Sequence, residues 1–247
     1  MSSGAMLLVM TSAPLALVTG AARGIGRVIA ERLARDGLRV LACDIDADTL
    51  AVQCDDRIQG VVLDCCDRPG VAALLEREGP VAVVVNNAGI ASNMIPALEL
   101  TREAFQRMLT VNLRGTFIVA QEAARRMPAG GRIINIASRG YLGGAGAGHY
   151  VASKAGVVGL TRAMAVELRW RGINVNAVAP GMIDTQMLSG FTEKTRRSLE
   201  RGEPAGRAAD PSTIADIVAF LASPGASQIN GQVLLADVGK TLGVPPL

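Results

Sequence analysis

Leu15-Ala16-Leu17-Val18-Thr19-Gly20-Ala21-Ala22-Arg23-Gly24-Ile25-Gly26 is the stretch that decides the fold. A short apolar run enters a glycine-rich turn, and a helical pattern carrying Val28, Ile29 and Leu33 follows as far as Asp36-Gly37. A second apolar run, Arg39 to Cys43, ends at Asp44. Strand, glycine turn, helix, strand and acid succeed one another within about 30 residues, as in a dinucleotide-binding βαβ unit. The glycines permit a tight turn and close approach of a pyrophosphate, whose oxygens can take the unpaired N–H groups of the helix N-terminus. Gly20, Arg23, Gly24, Ile25 and Gly26 are therefore candidate cofactor contacts. Asp44 falls 24 residues after Gly20. A carboxylate there can accept hydrogen bonds from the adenosine ribose and repel the extra phosphate of NADP. Arg23 argues the other way, because an arginine in this turn can hold that phosphate. Ile45 beside Asp44 adds no compensating charge, so NAD is expected ahead of NADP. The rival role for Asp44 is to cap a helix beginning near Asp46.

Working outward, the alternation continues. Gly60 to Leu63 reads as a third strand ending at Asp64-Cys65, and Asp67 to Glu78 as a helix. Val81 to Val85 is a wholly apolar fourth strand, which suits burial on both faces, and it runs into Asn86-Asn87-Ala88-Gly89. Thr101 to Met127 has helical periodicity, with Asn112, a mediocre helix former, in its middle. Strand five, Arg132 to Ala137, delivers Ser138 at its end. A helix running to about Arg171, a sixth strand from Ile173 to Ala179, a turn at Pro180-Gly181, a helix from Ser212 to Ala222 and a last strand from Gln232 to Ala236 complete the pattern. This is an α/β chain: a single-domain, Rossmann-like, doubly wound parallel sheet of about seven strands with helices on both faces, covering residues 14–247, preceded by a flexible arm over residues 1–13.

Composition agrees with that class. Of the 247 residues, 49% are hydrophobic but only 3% aromatic, so the core must be built from Ala, Val, Leu and Ile, as in sheets covered by helices. The net charge of +3 is spread among acids, with no basic block or aromatic-interleaved stripe, so nucleic acid is not an expected partner. No apolar run approaches the roughly 20 residues of a membrane span, and the first twelve residues lack a basic start, so neither membrane insertion nor a signal peptide is expected. Cys43, Cys54, Cys65 and Cys66 form no CxxC pair and His149 is the only histidine, which argues against a metal site and for reduced thiols in the cytoplasm.

The second informative stretch is Ser138-Arg139-Gly140-Tyr141-Leu142-Gly143-Gly144-Ala145-Gly146-Ala147-Gly148-His149-Tyr150-Val151-Ala152-Ser153-Lys154. Residues four apart on a helix lie one above the other, so Lys154 can stand beside Tyr150. A free tyrosine titrates near pH 10. A neighbouring ammonium and the helix N-terminus both favour the phenolate, so Tyr150 is expected to have a lowered pKa and to exchange a proton with a substrate oxygen.

Taken in order, Thr19-Gly20-x-x-x-Gly24-Ile25-Gly26, Asn86-Asn87-Ala88-Gly89, Asn112, Ser138, Tyr150-x-x-x-Lys154 and Pro180-Gly181 resemble the classical short-chain dehydrogenase/reductase family over nearly the whole chain. The resemblance implies that Tyr150 is the acid/base, Ser138 orients the substrate oxygen, Lys154 tunes the tyrosine and holds the nicotinamide ribose, and Asn112 anchors a water leading from Lys154 to solvent. It implies further that Asp64 and the Cys65 backbone border the adenine. Asn87, Ala88 and Gly89 would line the path of ribose and phosphate, and Ile183 and Thr185 would hold the carboxamide and phosphates. The implied activity is interconversion of a secondary alcohol and a ketone. A small to medium apolar or cyclic substrate is expected between walls carrying Met94, Ile95, Tyr141, Leu142, Met187, Leu188 and Phe191. The implied assembly is a homotetramer. Rival readings are an NADP-dependent 3-oxoacyl-[acyl-carrier-protein] reductase, with Arg125, Arg126, Arg169 and Arg171 as an acidic-partner patch, and a dinucleotide sensor without turnover. Three departures stand out. Ser138 and Tyr150 are 12 apart where the family usually has 13, Asp237-Val238-Gly239 replaces Asp-Gly-Gly, and His149 precedes the tyrosine, where a small or polar residue is usual.

Overall fold

The computed structural model describes residues 13–51, 56–91, 94–189 and 192–243. The expected N-terminal arm lies almost wholly outside them. Seven parallel strands, β1 (Leu15–Thr19), β2 (Arg39–Asp44), β3 (Ile58–Val62), β4 (Val83–Asn86), β5 (Arg132–Ile136), β6 (Asn174–Pro180) and β7 (Val233–Ala236), form one sheet in the order β3-β2-β1-β4-β5-β6-β7. The order reverses between β1 and β4, and in such sheets ligands bind outside the carboxyl ends of the strands at that point.

Alternation along the strands divides the core. Ala16, Val18, Val40, Ala42, Val83, Val85, Ile134 and Ile136 face one layer, and Leu15, Leu17, Leu41, Cys43, Val84, Ile133 and Val175 face the other. Helices α1 (Gly24–Arg35) and α9 (Pro211–Ala222) cover the first layer. Helices α3 (Arg68–Glu78), α5 (Thr116–Arg126) and α6 (Gly148–Leu168) cover the second. Shorter helices are α2 (Ala47–Ala51), α4 (Arg102–Leu109), α7 (Gln186–Ser189) and α8 (Glu193–Arg201). A polar line runs through the interior beneath the site. The Asn86 amide donates to Asn135 (2.8 Å), the Asn135 amide to Thr161 (2.9 Å), and the Thr161 hydroxyl to the Val157 carbonyl (2.8 Å). These bonds tie β4 and β5 to α6.

The helix expected over Thr101–Met127 is not continuous. Between α4 and α5, Thr110–Gly115 widens into a π-helical turn. Such turns recur at functional sites because they re-aim one side chain. The re-aimed residue here is Asn112, fully buried. Its Oδ1 accepts from the Ile90 N–H (2.8 Å) and its Nδ2 donates to the Ile90 carbonyl (3.0 Å) and to Ser153 Oγ (3.2 Å).

Candidate active site

The adenosine-side half is built around the glycine turn. Gly20 has φ +64°, the left-handed region that disfavours any side chain, and a Cβ on it would sit 2.7 Å from the Ala88 Cα. A Cβ on Gly26 would sit 2.2 Å from the Gly20 carbonyl oxygen, so α1 can close on the turn only without one. Thr19 Oγ1 accepts the N–H groups of Asn87 (3.1 Å) and Ala88 (3.0 Å), while the Asn87 amide donates to the carbonyls of Thr19 (3.0 Å) and Gly20 (2.9 Å). Asn87 therefore holds the turn from inside the fold. Thr19 does the reciprocal work, a role that its place in the sequence motif does not reveal.

Asp44 closes β2 against this turn. Its Oδ2 accepts the Ala22 N–H (3.0 Å) and its Oδ1 the Asp46 N–H (3.1 Å). The cap of α2 is Asp46, which receives both the N–H (3.1 Å) and the hydroxyl (2.9 Å) of Thr49. The Arg23 guanidinium lies 3.5 Å from the Asp46 carboxylate. Two acids thus border the place where the βαβ pattern puts the ribose. Asp64 is exposed and accepts the Cys66 N–H (2.8 Å), while burial pushes the Cys65 thiol up to about 12 and keeps it protonated.

The groove between these halves suits a dinucleotide. Arg23 stands at the N-cap of α1 without a side-chain cap, and the first turn holds no acid, so its N–H groups are left to an outside acceptor. A Cβ on Gly24 would meet only Thr185, at 3.4 Å. Ile183 beyond it is buried and bridged to the backbone of Ala209. Further along, a Cβ on Gly89 would lie 3.2 Å from Asn112 Oδ1 and 3.6 Å from Lys154 Nζ. Bare backbone therefore floors the groove from an uncapped helix end to a lysine.

The second half converges on Tyr150, in the first turn of α6. Lys154 is buried, its Nζ donating to the Ile136 carbonyl (2.8 Å) and lying 5.9 Å from the centre of the Tyr150 ring. Ser138 is extended after β5, and its Oγ accepts the Gly140 N–H (3.1 Å). A Cβ on Gly140 would sit 3.3 Å from both Ser138 Oγ and Tyr150 Cε1, so hydroxyl, glycine and ring are packed together. Ser153, unremarked in the sequence, joins the group: its hydroxyl donates to the Tyr150 carbonyl (2.7 Å).

The expected direction of the tyrosine shift is corrected. Burial pushes the Tyr150 phenol above its ordinary value, and hydrogen bonding with Ser138 pulls only part of the way back. Burial also draws the Lys154 ammonium down, to about 8. In a poorly solvated site both groups are driven toward their neutral forms, and that cost outweighs the attraction expected from helical spacing alone. His149 is buried, and among the described residues neither of its ring nitrogens has a hydrogen-bond partner. Of the expected substrate walls, Ile95 donates its N–H to the Gly146 carbonyl (2.7 Å), joining two of them. Phe191 lies outside the described residues, as does the Met187 side chain.

A βαβ nucleotide fold with a serine, tyrosine and lysine gathered at its switch point defines a dinucleotide oxidoreductase class. The chain belongs to the short-chain dehydrogenase/reductase family, whose members bind a nicotinamide dinucleotide and act on alcohol and ketone groups. The family model described as Enoyl-(Acyl carrier protein) reductase matches residues 20–241. The chain is 40% identical over 239 residues to cis-4-hydroxycyclohexanecarboxylate dehydrogenase of Sinomonas cyclohexanicum, covering 92% of this chain and 96% of that one. It is 39% identical over 241 residues, with the same coverage, to (2S)-[(R)-hydroxy(phenyl)methyl]succinyl-CoA dehydrogenase subunit BbsD of Thauera aromatica. It is 39% identical over 234 residues to the 3-oxoacyl-[acyl-carrier-protein] reductase MabA of Mycobacterium tuberculosis, covering 92% of each chain. Among solved structures, a variant of actinorhodin polyketide ketoreductase with NADPH superposes with a TM-score of 0.86 at 36% identity, over 92% of this chain and 97% of that one. No helix among the described residues is long and apolar enough to cross a membrane.

Proposed function

We propose that the protein is an NAD-dependent dehydrogenase interconverting a secondary alcohol and a ketone on a small to medium apolar or cyclic substrate, with Tyr150 as acid/base. The observation that carries this reading is the packing of Ser138, Gly140 and Tyr150 above a buried Lys154. When bound, the nicotinamide supplies the hydride acceptor or donor. Ser138 Oγ orients the substrate oxygen. As the phenolate, Tyr150 Oη takes the alcohol proton in oxidation; as the phenol, it gives one to the ketone oxygen in reduction. Lys154 would hold the nicotinamide ribose, and in its charged form it would offset part of the burial penalty on a Tyr150 phenolate. Asn112 fixes the Ile90 backbone and the base of α6 so that these atoms stay in register.

NAD is favoured by the paired carboxylates of Asp44 and Asp46, which would face the extra phosphate of NADP with like charge. Arg23 supports the second reading, an NADP-dependent 3-oxoacyl reductase such as the mycobacterial relative's name describes, but its guanidinium already pairs with Asp46. The basic patch that reading needs is partly engaged, since Arg125 pairs with Glu122 (3.4 Å) and Arg169 stacks on Trp170. The sensor reading has no use for the serine, tyrosine and lysine together. For a homotetramer, the face offered to a second copy's helices is a groove of about 710 Å³ whose lining mixes Leu109, Leu113, Phe117, Gly156 and Leu160 with Gln106, Thr110 and Arg114. Free thiols at Cys43, Cys65 and Cys66 suit the cytoplasm.

The test is reduction of NAD⁺ and NADP⁺ against a panel of secondary alcohols, hydroxyacyl thioesters and cyclic diols. NAD⁺ turnover is expected with a cyclic or apolar alcohol, and Tyr150→Phe should lower kcat by about 10²–10⁴-fold while dinucleotide binding persists. A clear preference for NADP⁺, or full turnover by the variant, rejects the reading.

A further inference from the structure

Outside the atoms so far described, the most tightly bound charged cluster near the site joins three distant segments. Arg139, the residue after Ser138, makes a two-pronged ion pair with Glu203, with Nη1 and Nη2 each 2.7 Å from a carboxylate oxygen. Lys240, in the turn after β7, places its Nζ 2.6 Å from the same carboxylate. Glu203 is only 9% exposed. Burial alone would raise its carboxyl, but the hydrogen bonds and charges of Arg139 and Lys240 outweigh it and hold the group below its ordinary value. Such a forked pair fixes angle as well as distance.

What the fork fixes is the seat of Ser138. Arg139 opens the short helical turn Arg139–Leu142, whose Gly140 N–H donates to Ser138 Oγ and whose Gly140 backbone lies against the Tyr150 ring. Glu203 belongs to the excursion that leaves the core after Asp184 and returns at Ala209. That excursion is closed at its base by the bridge between Ile183 and Ala209, and along its length by Arg196 on Asp184 (3.1 Å).

We propose that Glu203 is a positioning residue: by gripping Arg139 and Lys240 together it seats the Ser138 hydroxyl against Tyr150 and ties the end of α8, just before it in the chain, to the same turn. The proposal rests on reading Ser138 and Tyr150 as the proton-transfer pair, and it predicts effects that do not require turnover. In the full-length protein, Glu203→Gln removes the charge and keeps the shape. Trypsin should then cut faster at Lys194, Arg196, Arg197 and Arg201. With its Ser138 partner misplaced, Tyr150 should also titrate at higher pH, read by ultraviolet absorbance against a Tyr150→Phe reference that isolates it from Tyr141. The dissociation constant for NAD⁺ should not change. With an alcohol that the wild type oxidises, kcat should fall several-fold and KM rise, and Glu203→Asp should recover part of both. Lys240→Met, which leaves the fork in place, should move the same readouts in the same direction by less, and it serves where Glu203→Gln fails to fold. Unchanged cleavage or an unchanged tyrosine titration overturns the proposal. A wild type that turns over no alcohol while both readouts shift rejects the enzymatic reading and leaves the grip of Glu203 standing.

Discussion

The two halves of the groove are held by different forces. The adenosine side is a lattice of neutral hydrogen bonds and bare backbone: Thr19, Asn87, Ala88 and the glycine turn bond to one another over 2.9–3.1 Å, and Gly26 touches Gly20. The substrate side is held by charge and burial: a sunken Lys154, a raised Tyr150, and a glutamate shared by Arg139 and Lys240. Contacts of the first kind have almost no freedom and no pH dependence. Those of the second kind respond to pH, salt and substitution.

The largest effect should come from breaking the rigid half. Gly26→Ala drives a Cβ into the Gly20 carbonyl, where no flexible side chain can yield, and should destabilise the fold by about 3 kcal/mol, measured by urea unfolding, with loss of dinucleotide binding. A Gly26→Ala variant of native stability that binds NAD⁺ would show that the turn is looser than described.

The charged half should show itself in the pH dependence of stability. Lys154 titrates near 8 in the folded protein and near 10.4 when unfolded, so between those values the unfolded chain binds the extra proton and stability rises with pH. Tyr150 is raised above 10.0, so above that pH the unfolded chain loses its proton first and stability falls. The melting temperature should therefore rise just above pH 8 and turn down above about pH 9, where the unfolded chain also loses the protons of Cys43 and Cys65, held up to about 12 by burial in the folded protein. Lys154→Met should flatten the climb, and a wild-type curve already flat there contradicts the buried ammonium.

A smaller effect sharpens the boundary between the halves. Asp44→Ala removes the acceptor of the Ala22 N–H and one of the two carboxylates, and should shift the ratio of kcat/KM for NADP over NAD upward by about tenfold, equivalent to about 1.4 kcal/mol. No shift removes Asp44 from the ribose. The smallest effect lies beside the charged cluster. Val238, a branched residue at φ +55°, replaces the family's glycine, and the turn persists because Asp237 accepts the N–H groups of Gly239 (3.1 Å) and Thr241 (3.0 Å). Val238→Gly should stabilise by about 1 kcal/mol, seen as a higher melting temperature.

Much of this was legible in advance because it is local. Glycine spacing, the alternation of apolar runs and the acid at the end of the second strand are properties of a few consecutive residues, whereas the strand order, with its reversal between β1 and β4, is decided by packing. Asn112 was legible as an oddity, a poor helix former inside a helical pattern. The π-helical turn was not, because its reason is the backbone of Ile90, 22 residues away. Thr19 reads in the sequence only as the first residue of the glycine motif, and Ser153 carries no signal, because a hydroxyl in an apolar pattern gives no sign of which backbone group it will meet.

By itself, then, the amino-acid order determined a parallel sheet with a nucleotide turn at its first crossover and a tyrosine with a lysine one helical turn beyond it. Backbone propensity and the period of apolar residues act over distances shorter than a helix, so they can be read directly. Only the tertiary structure decided which way the Tyr150 and Lys154 equilibria move, because burial depends on everything packed around them. It alone brought Glu203 to Arg139 across 64 residues and to Lys240 across 37, since such pairings exist only once the whole chain has closed on itself.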